Sequence, residues 1–262
     1  MRKTAIFLST LWMWLWFSGS AYAAGAASPT SAQDADTIVI VSELSKMYRA
    51  SMNYIFKNQP LINQTGGDKS KLFGNKFIAN VKLAYKENFK TEFPKQNHIL
   101  KKMMVEVMVE VMEDNRTLIK DDDIAYKGFI PAIYAFQLSE KLSTKGLGVK
   151  IRITNLGNLR NKLNVPDKWE VSTMEVIRKL SLNIYFDDTS TFDGKPAYRY
   201  FVPLKMSKLC LGCHGIPSDN PQNKGKDPSQ WSHIDVTGFE MERWKLTDFG
   251  GGISVTIYKR DF

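Results

Sequence analysis

The sequence predicts an α+β fold, and three observations carry that prediction. Apolar residues recur at helical spacing through most of residues 36–145; alternation of apolar and polar residues takes over at 149–153, 182–186 and 198–202; and the chain closes on an alternating β-branched run at 253–258. Helices come first and strands afterwards. The expected organisation is therefore one domain over 37–262, with a helical half at about 37–145 and a sheet half at about 146–262.

Ahead of that domain, Arg2 and Lys3 form a charged start, residues 5–17 an apolar stretch, and Ala21-Tyr22-Ala23 a small-x-small site. This pattern predicts a signal peptide over 1–23, cleaved after Ala23 or Ala24, and an exported, periplasmic chain. The apolar stretch is shorter than the roughly 20 residues needed to span a bilayer, and no later stretch is long enough, so no membrane span is expected. Residues 24–36, rich in Ala, Ser, Thr, Pro and Asp, are expected to form a disordered mature N-terminus.

From Asp36 onward Ile40, Leu44, Met47, Ser51 and Ile55 share one helical face, with Glu43, Lys46, Arg49 and Lys57 off it. The reading is one long helix over 36–58, stopped by Pro60. A turn at 64–68 contains Gly66-Gly67, and a second helix over 70–90 carries Phe73, Phe77, Val81, Tyr85 and Phe89 before Pro94 breaks the chain. Residues 98–116 fit two periods, because Val105, Val107, Val109 and Val111 alternate like a strand. Length and the placement of Glu106, Glu110 and Glu113 opposite an apolar stripe favour a helix, whose methionines read as core filler. A charged loop at 120–123 and a helix over 128–142, entered through Phe129-Ile130-Pro131, complete the helical half.

After Gly146 and Gly148 the strand signals begin, interrupted by a helix over 169–180 that follows Pro166-Asp167. On the strand at 198–202, Tyr198 and Tyr200 are expected on one face and Arg199 on the other. A polar loop at 218–232 and the run Gly250-Gly251-Gly252 lead to the last strand at 253–258.

The chemistry concentrates in Cys210-Leu211-Gly212-Cys213-His214, which holds both cysteines of the chain. A redox disulfide needs no adjacent histidine and belongs near the start of a βαβ unit, and a zinc site needs further ligands that His98 and His233 do not offer at the right spacing. Two thiols at this spacing can each add across a vinyl group of haem, with the following imidazole as proximal iron ligand. One covalent haem c on Cys210, Cys213 and His214 is the expectation, with the free ring nitrogen of His214 donating to a carbonyl or carboxylate.

Several further segments then read together: Asn58-Gln59-Pro60-Leu61-Ile62-Asn63, Lys127-Gly128-Phe129-Ile130-Pro131, Arg160-Asn161, Asn164-Val165-Pro166-Asp167-Lys168-Trp169-Glu170, Tyr198-Arg199-Tyr200, Pro203-Leu204 and Gly251-Gly252-Ile253-Ser254-Val255. With the cysteine motif they resemble the Tll0287-like haem family. The resemblance implies a PAS-like antiparallel sheet with long N-terminal helices packed on it, one covalent haem, and a role in electron transfer or sensing. It also implies that Arg152, Arg160 and Arg199 lie near the haem, where a guanidinium can pair with a propionate. Because it places the first helix against the sheet, Met47 is the expected distal iron ligand and Met52 the runner-up, with His98, His233, the methionines from Met103 to Met112 and an open position as the other readings. The insertion at 219–231 departs from the family pattern and reads as decoration, with a partner-binding loop as the alternative.

Function is therefore expected to be that of a periplasmic mono-haem cytochrome passing electrons to or from a partner protein. The alternative is a haem-based redox or small-ligand sensor that acts through a separate partner. No paired carboxylates, placeable Ser-His-Asp set or phosphate-binding glycine loop is present, so catalysis is not expected. The whole chain carries a formal charge of +9, and loss of Arg2 and Lys3 with the signal leaves +7. The basic residues are dispersed, which argues against nucleic acid; the charge reads as a solvated surface, with an acidic redox partner or an anionic surface as the functional reading.

Overall fold

The computed structural model describes residues 31–157 and 159–259. The expected signal peptide lies outside them. Helix α1 (Ala32–Lys57) is capped by the Ser31 hydroxyl, which accepts from the Asp34 N–H, and Asp34 stands in the first turn. The helix thus begins ahead of the expected residue 36, and 32–36 are its opening turn rather than a disordered tail. The same small polar residues that read as disorder supply a cap, and buried Ile38 and Val41 fix the turn that follows. Pro60 likewise opens a helix instead of ending one: it lies in the first turn of α2 (Gln59–Asn63), where a missing N–H costs nothing.

Helices α3 (Gly74–Phe89), α4 (Ile99–Asp114), α5 (Arg116–Lys120) and α6 (Pro131–Thr144) follow. The helical reading of 98–116 holds. His98 caps α4 by accepting from the Leu100 N–H, and Met104, Met108 and Met112 are fully buried core residues. Lys101 on α4 pairs with Glu43 on α1 at 2.8 Å, and Tyr48 of α1 donates to the Ala135 carbonyl of α6 at 2.9 Å.

The second half contributes β1 (Val149–Thr154), α7 (Lys168–Leu180), β2 (Tyr185–Asp187), β3 (Thr191–Phe192), β4 (Lys195–Lys205), α8 (Lys208–His214) and β5 (Phe249–Tyr258). All pairings are antiparallel, in the order β1-β5-β4-β2 with β3 on β4. One face, with Val149, Ile151, Tyr198, Tyr200, Ile253 and Val255, joins the helices in the main core. Each fully buried aliphatic or aromatic side chain there contributes about 1.5–3 kcal/mol. On the other face Phe201 packs with Met174 and Ile177 of α7. Asp167 and Glu170 close a reciprocal capping box at the start of α7.

The last strand is longer than expected because the glycine run is part of it. A Cβ on Gly252 would collide with the Phe201 ring and the Val202 carbonyl, while Gly251, at φ +88°, passes the Thr154 carbonyl. Glycine is what lets β5 lie flush between β1 and β4. Among the described residues, no helix is long and apolar enough to cross a membrane.

Candidate functional site

Strand β4 leaves the sheet at Lys205 and is tied at once to the approach of β5, since the Met206 N–H donates to the Asp248 carbonyl and the Thr247 N–H to that of Met206. The chain then turns into α8. Cys210 and Cys213, three residues apart, and His214, four from Cys210, therefore share neighbouring positions on one short helix. Both thiols are free and half-buried, and the Cys210 sulfur lies 3.2 Å from the Ser207 hydroxyl. Burial first, and the nearby Asp235 carboxylate second, push the Cys213 thiol up to about 11.

His214 is held from two sides. Its Nδ1 meets the Glu242 carboxylate at 2.9 Å, and its ring stacks on Trp244 with centroids 5.3 Å apart and planes 19° from parallel. The Trp244 N–H also donates to the His214 carbonyl at 2.9 Å, so the backbone clamps the end of α8 as well. With Nδ1 committed to Glu242, Nε2 is the nitrogen left for a ligand.

Arg160 organises the surroundings. Its Nε and one terminal nitrogen reach both oxygens of Glu242, at 2.7 and 2.8 Å, and that same terminal nitrogen reaches the Cys213 carbonyl at 2.9 Å. The other terminal nitrogen meets Asp235 and the Thr237 hydroxyl. All five guanidinium N–H groups are thereby used. Burial works to raise the Glu242 pKa, but the bonds from His214 and Arg160 outweigh it and hold the carboxyl at about 2. Asp235 is also held below the usual carboxylate range, because bonds from Thr237, Arg160 and the Phe239 N–H overcome its burial.

Two other elements approach the motif. Arg49 on α1 lies within electrostatic reach of the Cys210 thiol, and its burial works to lower its pKa while that thiol works to raise it. The Tyr126 hydroxyl, in the loop before α6, has its pKa raised by burial first and then by the charges of Cys213 and Asp235, within whose electrostatic reach it lies. In α8 and the segments that follow it, Leu209, Ile216, Ile234, Val236 and Phe239 are exposed.

The loop after α8 is better ordered than a polar loop requires. Of its short 3-10 turns, Pro217–Asp219 and Pro221–Asn223 are held by buried amides and Pro228–Gln230 is capped by the Asp227 carboxylate. Asn223 donates to the Pro217 and Ser232 carbonyls, and Asn220 to that of Ile234. A Cβ on Gly212 of α8 would come into van der Waals contact with the Pro221 ring.

The expected site residues thus divide. Cys210, Cys213 and His214 stand together with Arg160 beside them, although Arg160 spends its donors on protein acceptors and has none over for a propionate. Arg152 and Arg199 are not brought there. Arg152 pairs with Glu170 and donates to the Val165 carbonyl at 3.0 Å; Arg199, fully buried, pairs with Asp167 at 2.8 Å over the Trp169 ring. Both leave the sheet on the α7 face, as the strand alternation of Arg199 with Tyr198 and Tyr200 implies. Met47 is fully buried in the main core, and Met52 packs at its margin. At about 100° per residue Met47 lies some 200° around α1 from Arg49, so the turn of α1 nearest Cys210 presents a guanidinium rather than that thioether.

Glu242, Trp244, Tyr126 and Arg49 escaped the sequence reading. Residues 233–246 carry no period, and Arg49 reads only as an off-stripe charge.

A family model described as Tll0287-like: Tll0287 matches residues 78–257. Among solved structures, the crystal structure of the cyanobacterial heme-protein Tll0287 is similar at 15% identity, covering 60% of this chain and 96% of that chain with a TM-score of 0.37. No curated protein matches.

Proposed function

The chain belongs to the Tll0287-like family, and from that membership and the geometry at α8 we propose that it is a c-type haem protein carrying one haem. Cys210 and Cys213 would hold the group through thioethers, each formed when a thiol adds its sulfur and its hydrogen across one vinyl double bond, and His214 would supply the proximal nitrogen. The haem supplies one-electron exchange between ferric and ferrous iron.

The single observation that carries this reading is the His214–Glu242 contact at 2.9 Å: a carboxylate orients the imidazole through Nδ1 and frees Nε2, as proximal histidines require. The donor set fits the group in other respects too. Two free thiols share the helix with the imidazole, and exposed apolar residues in and after that helix would be covered by a macrocycle. Arg49 offers a guanidinium for a haem carboxylate where Arg152, Arg160 and Arg199 do not. The order β1-β5-β4-β2, with the first strand beside the last and the N-terminal helices over one face, supports a PAS-like description of the sheet.

Of the two roles, electron transfer to or from a partner protein in the periplasm is the one the surface favours. His214 is about one-third exposed and Leu209 nearly half, so the motif lies at the molecular edge, where a partner can approach. The formal +7 of the mature chain suits an acidic partner. One observation favours a sensor instead: Arg49 couples the motif to α1, the longest helix, which packs on both the other helices and the sheet. Carbon monoxide added to the reduced protein separates the two, since a carrier with both axial positions filled leaves the spectrum unchanged and an open sensor site shifts the Soret band.

A further inference from the structure

The proximal side carries more charge than orientation of a histidine needs. A neutral carbonyl would fix the same tautomer, yet here the acceptor is a carboxylate, 7% exposed and 2.9 Å from Nδ1. We propose that Glu242 is a positioning residue that gives His214 imidazolate character and so biases the haem iron toward the ferric state. The proposal rests on the reading of this chain as a haem protein.

The geometry supports it in three ways. Arg160 grips both Glu242 oxygens, at 2.7 and 2.8 Å, which fixes the carboxylate as an anion pointing at the ring. That grip does not cancel the anion, because Arg160 is shared with Asp235 and the trio of one guanidinium and two carboxylates keeps a net negative charge beside the ring. Trp244, stacked 5.3 Å from the imidazole, stops the ring from turning away and excludes water from one of its faces. A charge-assisted bond in such a place is stronger than its counterpart in water, and it draws the Nδ1 proton toward the carboxylate. A more anionic nitrogen donor stabilises ferric over ferrous iron. Sequence alone hid this arrangement, since Glu242 lies beyond the inserted loop and approaches the histidine only when Arg243 and Trp244 pair with the backbone at the end of α8.

The test compares the intact haem-loaded protein with Glu242→Gln, which keeps shape and removes charge. Haem content is read by mass and the reduction potential by spectroelectrochemistry. The variant should carry one haem, keep its far-ultraviolet circular dichroism, and favour the reduced form about tenfold more at a given applied potential, which is 59 mV for one electron. A haem-loaded variant within twofold of wild type overturns the proposal. Should Glu242→Gln not accumulate in loaded form, the ferrous wild-type protein answers instead: a far-downfield, slowly exchanging Nδ1 proton on His214 supports the proposal, and one exchanging like a free imidazole overturns it. A wild-type protein without covalent haem defeats the underlying haem reading, an outcome separable from the others by mass alone.

Discussion

Arg49 on α1 lies within electrostatic reach of the Cys210 thiol on α8. Among the described residues no hydrogen bond or ion pair holds Arg49, although it is half-buried. A partly desolvated cation without a partner is costly, and an incoming carboxylate would relieve that cost.

Replacing Arg49 by Gln should leave the fold intact, since no protein partner is lost, and should lower the urea stability of the haem-loaded protein by about 1.5–3 kcal/mol, the range for a hydrogen bond to a charged group. Urea melts followed in the Soret band and by circular dichroism check it; unchanged stability would mean that Arg49 faces solvent in the loaded protein.

Arg160→Ala should be far more damaging. It strands Glu242 and Asp235, both nearly buried, without their shared cation and frees the Cys213 carbonyl from α8's outer clamp. A loss of about 3–5 kcal/mol is expected in the same melts, the usual result of breaking a buried ion pair from one side.

How far the sequence leads is clearest at these two arginines. The helical periods, the turn at Gly66-Gly67, the capping Pro166-Asp167 and the alternation on β4 are local signals, and each element they imply is present. The reactive triplet is local too. What surrounds the triplet is not: Arg49, Tyr126, Arg160 and Glu242 converge from four separate segments, and nothing in their own neighbourhoods distinguishes them from solvated surface residues. The family resemblance implies Arg152 and Arg199 as propionate partners, but the sheet turns both toward α7, where they pair with Glu170 and Asp167. The expected role of Met47 met a different limit, because an apolar stripe marks a core face as readily as a ligand face.

Asp235→Asn tests the electrostatics of the 233–242 hairpin through pH. The carboxyl is held below its ordinary value in the folded protein, so its contribution is fully present above the unfolded value near 3.8 and is lost as pH falls through the lower folded one. Wild type should therefore exceed the variant in stability at pH 6 and lose that margin progressively below about pH 4. A margin independent of pH would mean that the carboxylate charge is not what holds the hairpin.

Gly252→Ala examines the sheet behind the site. The added methyl meets the Phe201 ring and the Val202 carbonyl, with backbone on one side and a packed aromatic on the other. Overpacking of this kind costs about 1–3 kcal/mol. A Tm lower by several degrees in calorimetry is the expected result, and an unchanged Tm would show that β5 can shift to make room.

The most direct test of the whole account is the intact mass of the protein directed to the periplasm of a host able to attach haem, beside the Cys210→Ala, Cys213→Ala double variant. The account predicts the wild-type polypeptide plus one haem that survives denaturation, and no retained haem in the double variant. A wild-type mass equal to the bare polypeptide would contradict it.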